Sequence, residues 1–463
     1  MKTVAQTFGT RRDALRFGGL GLAAAAVDGI WPHRVSASPS VTPRGNARNV
    51  LFYEINGAIS HLESWDFKEN AGTPNDLDIR KHRNDLYLSE KLFPRFKNHI
   101  DKFAIHRSLL SHEQVHFRGQ TYIQTGRPLN LAFASEIPAI GSVVASELEG
   151  RRGPDDTFPT YMSFNLEKAF PGALSTGFLD PRFSVVDINP ELAGQGSSLD
   201  ESALQLVEER WRLLEKLRSA QQSRVSSFER KMTGYDSFYD AAHQLLSDDR
   251  WMHAFEISDK DRERYGANDV GVSCILARNM LAADAGTHYI HICHPGWDHH
   301  KYIWDHSQKT SHYKLCAQFD QAFSALLEDI TAMPSPRDAN STILDETLVV
   351  AMSEFGRTPG ALNNMKGRDH HNKVFPALFA GAGVTPGLIL GSSDADGDSA
   401  VETGWDRKEQ PRIENVVATM YSALGIDWSK KVHDTPSKRT YAYVDELGAP
   451  GWIPNDEISS IYG

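Results

Sequence analysis

Short apolar runs alternate with longer amphipathic stretches along most of this chain. Asn49–Ile55 (NVLFYEI) has the length and near-continuous apolarity of a strand buried on both faces. Lys102–Leu109, Thr287–Cys293 and Thr347–Ser353 read the same way, and Phe375–Ala380 and Leu388–Gly391 are shorter apolar segments. Between them, Phe117–Gln124, Glu136–Leu148, Val270–Ala283, Tyr313–Ala332 and Ile413–Leu424 read as helices. Gly126-Arg127-Pro128 breaks the chain after the first of these. From Val432 onward the pattern reads as irregular coil. The alternation predicts an α/β fold, a mainly parallel central sheet covered by helices on both faces.

Residues 199–232 differ in character. Leu204, Val207, Trp211 and Leu214 recur at spacings of three and four among charged residues, the mark of an amphipathic helix, with Asp200 as a fair N-cap. A second helical stretch, Asp236–Leu246, follows Gly234. The pair predicts a helical excursion over about 199–260. A coiled-coil arm is the alternative, but the apolar stripe is short and irregular for sustained heptads.

The N-terminus carries a targeting pattern. Arg11 and Arg12 precede the Gly/Ala-rich apolar run Gly18–Val27, which is too short for a stable membrane span. This reads as a twin-arginine export signal, with Val35-Ser36-Ala37 as a small-x-small cleavage site. The expected organisation is therefore a signal over 1–37, a Ser/Pro/Arg linker over 38–47, and one α/β domain over 48–463. Periplasmic or secreted placement follows.

Composition narrows the partners. The chain has 463 residues, 40% hydrophobic and 24% charged, within the range of globular proteins. A net charge of −11 argues against nucleic acid as a partner, since phosphate backbones need a basic face. It allows a small anionic substrate where a bound metal supplies local positive charge. The three cysteines, Cys274, Cys293 and Cys316, lack CxxC spacing and predict neither a disulfide framework nor a thiolate metal site.

Histidine is the candidate chemistry. Residues 288–312 hold seven of the nineteen histidines, centred on Gly296-Trp297-Asp298-His299-His300. A second group, Gly367-Arg368-Asp369-His370-His371, follows. Imidazole and carboxylate together on loops after strands are the materials of a metal site. Asp298, His299, His300, His370 and His371 lie in Gly/Asp-rich turns where packing does not call for imidazole. His288, His291, His306 and His312 read instead as strand or surface residues. Three loop motifs should meet at one edge of the sheet: Asn56–Asp66, Gly296–His300, and Ser353-Glu354-Phe355-Gly356-Arg357-Thr358-Pro359 leading into Gly367–His371. Arg357 and Arg368 can clamp an anion through bidentate hydrogen bonds or can serve as structural ion pairs. For His112, His116 and Arg118, substrate contact and loop packing stand equal. The acidic run Asp394, Asp396, Asp398 lacks EF-hand spacing and reads as an exposed turn.

Gly-Trp-Asp-x-His, Ser-Glu-Phe-Gly-Arg-Thr-Pro and Gly-Arg-Asp-His, in this order behind a twin-arginine pattern, resemble the bacterial family called domain of unknown function 1501. The likeness runs from about Asn49 to about Asp427 and includes Ala277-Arg278 and Leu424-Gly425-Ile426-Asp427. That family is placed in the alkaline phosphatase-like superfamily, with the sulfatases. The resemblance implies Ser60 as the nucleophile and Asp298, His300 and His370 as ligands of one divalent metal. His299 and His371 are the one-residue alternatives, and Glu354 with first-loop groups would form a weaker second set. Aspartate and neutral imidazole suit zinc or manganese, and an acid-rich site would suit calcium or magnesium. This chain departs from the pattern: its first strand ends at Glu54 and Asn56, Glu63 stands for the usual Asp, and Phe355 replaces a histidine. Two functions follow as expectations: a metal-dependent hydrolase of phosphate or sulfate esters, or a non-catalytic envelope binding or scaffold protein of the same fold. The expected partner is a small anionic ester or an envelope component.

Overall fold

The computed structural model describes residues 35–36, 41–169, 172, 174–193, 209–216, 245, 248–444 and 456–463. Among the described residues, eight strands form the central sheet: β1 (Asn49–Ile55), β2 (Phe103–Leu109), β3 (Tyr161–Phe164), β4 (Val186–Ile188), β5 (Tyr289–His294), β6 (Thr347–Met352), β7 (Phe375–Ala380) and β8 (Ile389–Leu390). Their order across the sheet is β8-β2-β7-β6-β1-β5-β3-β4. Only β7 runs antiparallel to its neighbours. This is the mainly parallel α/β architecture expected from the alternation.

The inner strands are apolar on both faces because both faces are covered. Leu51, Tyr53 and Ile55 of β1 pack with Ile275 of α3 (Asp269–Ala283) and with Phe319 and Phe323 of α4 (His312–Ala332). Val50 and Phe52 point the other way, toward α1 (His116–Thr125), α2 (Ile140–Leu148) and α5 (Ile413–Ala423). The period-two side-chain alternation of β1 thus feeds two separate cores. Asn268 caps α3, its side chain accepting from the backbone of Val270 and Gly271 at 3.1 Å.

Register aligns the strand ends. Glu54 of β1 stands opposite Met352 of β6 and Cys293 of β5. The three motif-bearing loops therefore leave the sheet together, at the carboxyl ends of adjacent parallel strands.

Several expected boundaries are corrected. The second helix begins at Ile140 rather than Glu136, because Pro138 forces Ile137 into extended backbone (φ −84°, ψ 117°). The chain after Val432 is not all coil: Lys431–Val432 pairs with Tyr441–Ala442 and with Val35–Ser36. The latter two residues belong to the expected cleavage site. The strands β3 and β4 and the hairpin Ile79–Arg83/Leu86–Ser89 are additions, too short or too polar to stand out as runs. Of the expected excursion, residues 209–216 are helical, and short helices cover Asp249–Ala254 and Asp259–Tyr265. The rest of 199–246 apart from residue 245, Leu204 and Val207 included, lies outside the described residues, as does nearly all of 1–40. Among the described residues, no helix is long and apolar enough to cross a membrane.

Candidate metal centre

The loops after β1, β5 and β6 are locked together by close backbone packing. Gly57 has φ +109°, and a Cβ there would lie 2.6 Å from the backbone nitrogen of Asp298. Glycine is therefore required on two counts, conformation and space. Gly57→Ala should lower unfolding free energy by about 1–3 kcal/mol, read from urea melts. An unchanged midpoint would show that the loops do not depend on this approach.

Side chains from three separated segments converge above this junction. His116 opens α1, Asp298 and His300 follow β5, and His370 belongs to a short hairpin with Arg357. One ligand atom from each of these four residues lies within 4.8 Å of all the others. Asp298 Oδ1 is 2.8 Å from His116 Nε2, 3.2 Å from His300 Nε2 and 3.7 Å from His370 Nε2. The Nε2 atoms of His300 and His370 are 2.8 Å apart.

Each ring is held by its other nitrogen. His116 Nδ1 lies 2.6 Å from Glu354 Oε1, His300 Nδ1 lies 2.9 Å from Asp369 Oδ1, and His370 Nδ1 faces the Gln114 carbonyl oxygen. All three partners can only accept, so each Nδ1 carries the proton and each Nε2 turns its lone pair inward in the neutral ring. Two such lone pairs 2.8 Å apart repel unless a cation or a proton sits between them. Carboxylate or carbonyl acceptors behind inward-facing imidazoles are the outer-shell arrangement of metal-bound histidines. The residues present thus fit a divalent ion. Three imidazoles and one carboxylate suit zinc or manganese; calcium and magnesium prefer more oxygen.

The electrostatics agree. Burial works against a charged His116, but hydrogen bonds to Asp298 and Glu354 outweigh it and push its pKa up to about 9. Burial likewise opposes ionisation of Asp298, yet His116, His370 and Arg357 hold its carboxyl well below the usual range. His116 is therefore a proton-bridged link between two carboxylates, and a divalent ion would take that proton's place. The Asp298 and His300 side chains are 48% and 36% exposed, so one side of the centre faces solvent.

The other expected site residues fall elsewhere. His299 is buried and bonds the Thr310 carbonyl through Nε2 at 2.8 Å; burial lowers its pKa to about 4. His371 bonds the Asp398 carbonyl through Nε2 at 2.8 Å and stacks on His61. Among the described residues, Glu354 joins no second ligand set with the first loop. It is fully buried, accepts from the backbone nitrogen of Gly57, and faces His116. Glu54, the acid ending β1, is likewise buried against His291 Nε2 at 2.7 Å and the Asn56 amide.

Ser60 and the two arginines are also closed in. Ser60 is fully buried and its hydroxyl donates to Glu63, whose other oxygen meets Arg368 Nη2 at 2.6 Å. Arg368 further donates to the Thr358 and Gly360 carbonyls and to Asn70. Arg357 donates to the carbonyls of Gly57, Ala58 and Arg368 and to Asp298 Oδ1. Both are wholly buried, so they pin loops together and neither presents a free fork to a ligand. His116 is the member that sequence reasoning left undecided. Its place at the start of a helix next to a strand end was the available signal, and only the tertiary contact with Asp298 resolves it.

An α/β sheet with an imidazole–carboxylate cluster at its parallel strand ends defines the class of the molecule. The chain belongs to the family described as "Protein of unknown function (DUF1501)", whose model matches residues 47–446. No curated protein matches it. Among solved structures it is similar to a protein in the alkaline phosphatase superfamily from Vibrio parahaemolyticus, at 12% identity over 91% of this chain and 76% of that one, with a TM-score of 0.38. It is also similar to the lipoteichoic acid synthase LtaP from Listeria monocytogenes, at 9% identity over 90% and 78%, TM-score 0.39. A third likeness is to the C-terminal periplasmic domain of EcEptC from Escherichia coli in complex with Zn, at 10% identity over 89% of each, TM-score 0.35. Likeness at this level says nothing about activity.

Proposed function

We propose that this protein is an exported metal-binding protein that hydrolyses phosphate or sulfate esters at a single divalent-metal centre. One observation carries the reading: three imidazole Nε2 atoms converge on Asp298, and every Nδ1 behind them faces an acceptor. A divalent ion there would supply Lewis-acid polarisation of a phosphoryl or sulfuryl oxygen. The chain's own residues orient and hold. Glu354 fixes the His116 ring, Asp369 fixes His300, and Arg357 keeps Asp298 ionised and in place. The solvent-facing side of Asp298 and His300 admits a small anionic ester. Ser60 is shut away beneath Glu63, so water entering from that side is the attacking group.

A second reading has its own support. Four protein donors fill zinc's tetrahedron, whereas catalytic zinc sites usually keep one position open. With Ser60 closed off as well, a metal-dependent binding or scaffold protein of the cell envelope fits the same geometry.

Protein purified without chelator should carry about one equivalent of zinc or manganese per chain. A panel of phosphate and sulfate esters then separates the readings. Hydrolysis that survives Ser60→Ala and stops on chelation supports the hydrolase. Bound metal with no turnover of any ester supports the binding protein, and absence of metal defeats both. Export is tested by replacing Arg11 and Arg12 with lysine, which should retain the protein in the cytoplasm. Unchanged secretion would remove the twin-arginine route.

A further inference from the structure

Eight large apolar side chains are exposed among the described residues, and three of them stand within a few residues of a member of the candidate metal centre along the chain. Val115, 55% exposed, immediately precedes His116. Tyr302 and Met365, 46% and 45% exposed, lie in two loops that pair beside His300. In that pairing the Tyr302 nitrogen donates to the Met365 carbonyl and the Ile303 nitrogen to the Lys366 carbonyl, both at 3.0 Å.

This loop pair is built at a cost. Tyr302 (φ +48°) and Lys366 (φ +58°) both adopt left-handed backbone, which a bulky side chain such as tyrosine rarely takes. Strain of this kind persists where surrounding structure enforces it, and it concentrates at binding sites. The enforcing contacts are visible. The Asn363 amide donates to the His300 carbonyl at 3.2 Å and to Asp369 at 3.1 Å. Gly367 packs so closely that a Cβ there would lie 2.1 Å from the His300 carbonyl carbon. The start of α1 has a cost of its own. Val115 stands at the N-cap of α1, where a side-chain acceptor would normally satisfy the helix, and makes no capping bond. Exposed apolar residues at an unfavourable cap and in a strained loop, next in the chain to His116 and His300 of one polar centre, need a reason. Apolar surface rimming a polar site marks ligand contact.

We infer that the paired loops around Tyr302 and Met365, with Val115 beside His116, form a recognition lip for an apolar organic group. That group would be the alcohol part of an ester whose anionic end lies at His116, Asp298, His300 and His370. The inference rests on reading that cluster as a metal site for an anionic ester. It specifies the substrate class: monoesters of apolar alcohols over esters of sugars or other polar alcohols. Lys301 and Lys366, both exposed beside the lip, add positive charge for the anionic end.

The test uses non-hydrolysable phosphonates and the full-length zinc-loaded protein. Butylphosphonate and methylphosphonate share a headgroup and differ by three methylenes. Titration calorimetry should show butylphosphonate binding about five- to tenfold more tightly, as expected for a chain half removed from water. Met365→Gln, which keeps side-chain length and removes apolarity, and Tyr302→Ala should both bring that ratio close to one while zinc content stays at the parent level. Equal affinities in the parent protein, or a ratio that both variants leave untouched, overturn the lip while the metal reading stands. A protein that holds no zinc and binds neither phosphonate removes the metal reading, and the lip falls with it.

Discussion

His370→Ala should leave the purified protein with less than about one-tenth of the divalent ion carried by the parent chain. The loss follows from ligand arithmetic. Tight zinc sites bind with about 10–16 kcal/mol spread over four ligands, so one imidazole is worth roughly a hundredfold in affinity or more. His370 Nε2 lies 2.8 Å from His300 Nε2 and 3.7 Å from Asp298 Oδ1, and among the described residues no further histidine, cysteine or carboxylate joins the group to take its place. His116→Ala and His300→Ala should behave alike. Glu354→Gln should cost less, about ten- to a hundredfold, because it disturbs the support behind His116 and removes no ligand. The controls are the adjacent histidines. His299→Ala and His371→Ala should leave metal content unchanged, since each ring bonds a backbone carbonyl elsewhere. Metal analysis after dialysis, with folding checked by circular dichroism, reads all six proteins. Loss of metal in the His371 variant with retention in the His370 variant would reverse the assignment.

Arg368→Met should lower unfolding free energy by about 3–5 kcal/mol, measured from urea unfolding midpoints and slopes. Arg368 and Glu63 are both buried with no side-chain exposure, paired at 2.6 Å. Removing the guanidinium leaves a carboxylate in the interior without its counter-charge, and it strands the Thr358 and Gly360 carbonyls as well. The double variant Glu63→Gln, Arg368→Met should recover part of the loss, because the uncompensated charge goes with it. A single variant as stable as the parent would contradict the structural role and return Arg368 to the anion-clamp reading. The comparison matters because Ser60 depends on the same pair: its hydroxyl is satisfied by Glu63.

How much of this was legible in the chain follows physical lines. The inner strands were readable because a strand buried on both faces must be apolar throughout. Asn49–Ile55 and Phe375–Ala380 match their expected spans, and Thr347–Met352 falls one residue short of its own. Once those strands are parallel and adjacent, the loops after Ile55, His294 and Met352 must emerge together, and Asp298, His300 and His370 become neighbours by topology. Strands of three or four residues such as Val186–Ile188 left no comparable signal, since their pairing comes from the neighbouring strand.

The sequence by itself determined the α/β class, the clustering of histidine on loops, and the family to which residues 47–446 belong. Tertiary structure alone decided which of two adjacent histidines faces the centre, because a one-residue choice depends on backbone direction at a turn and not on composition. It decided that His116 joins from a helix more than 180 residues before Asp298 in the chain. It decided too that Ser60, Arg357 and Arg368 are enclosed. Residue type allows a serine to attack and an arginine to clamp, but burial and hydrogen bonds made within the loops commit these three to holding the loops on which the centre is built.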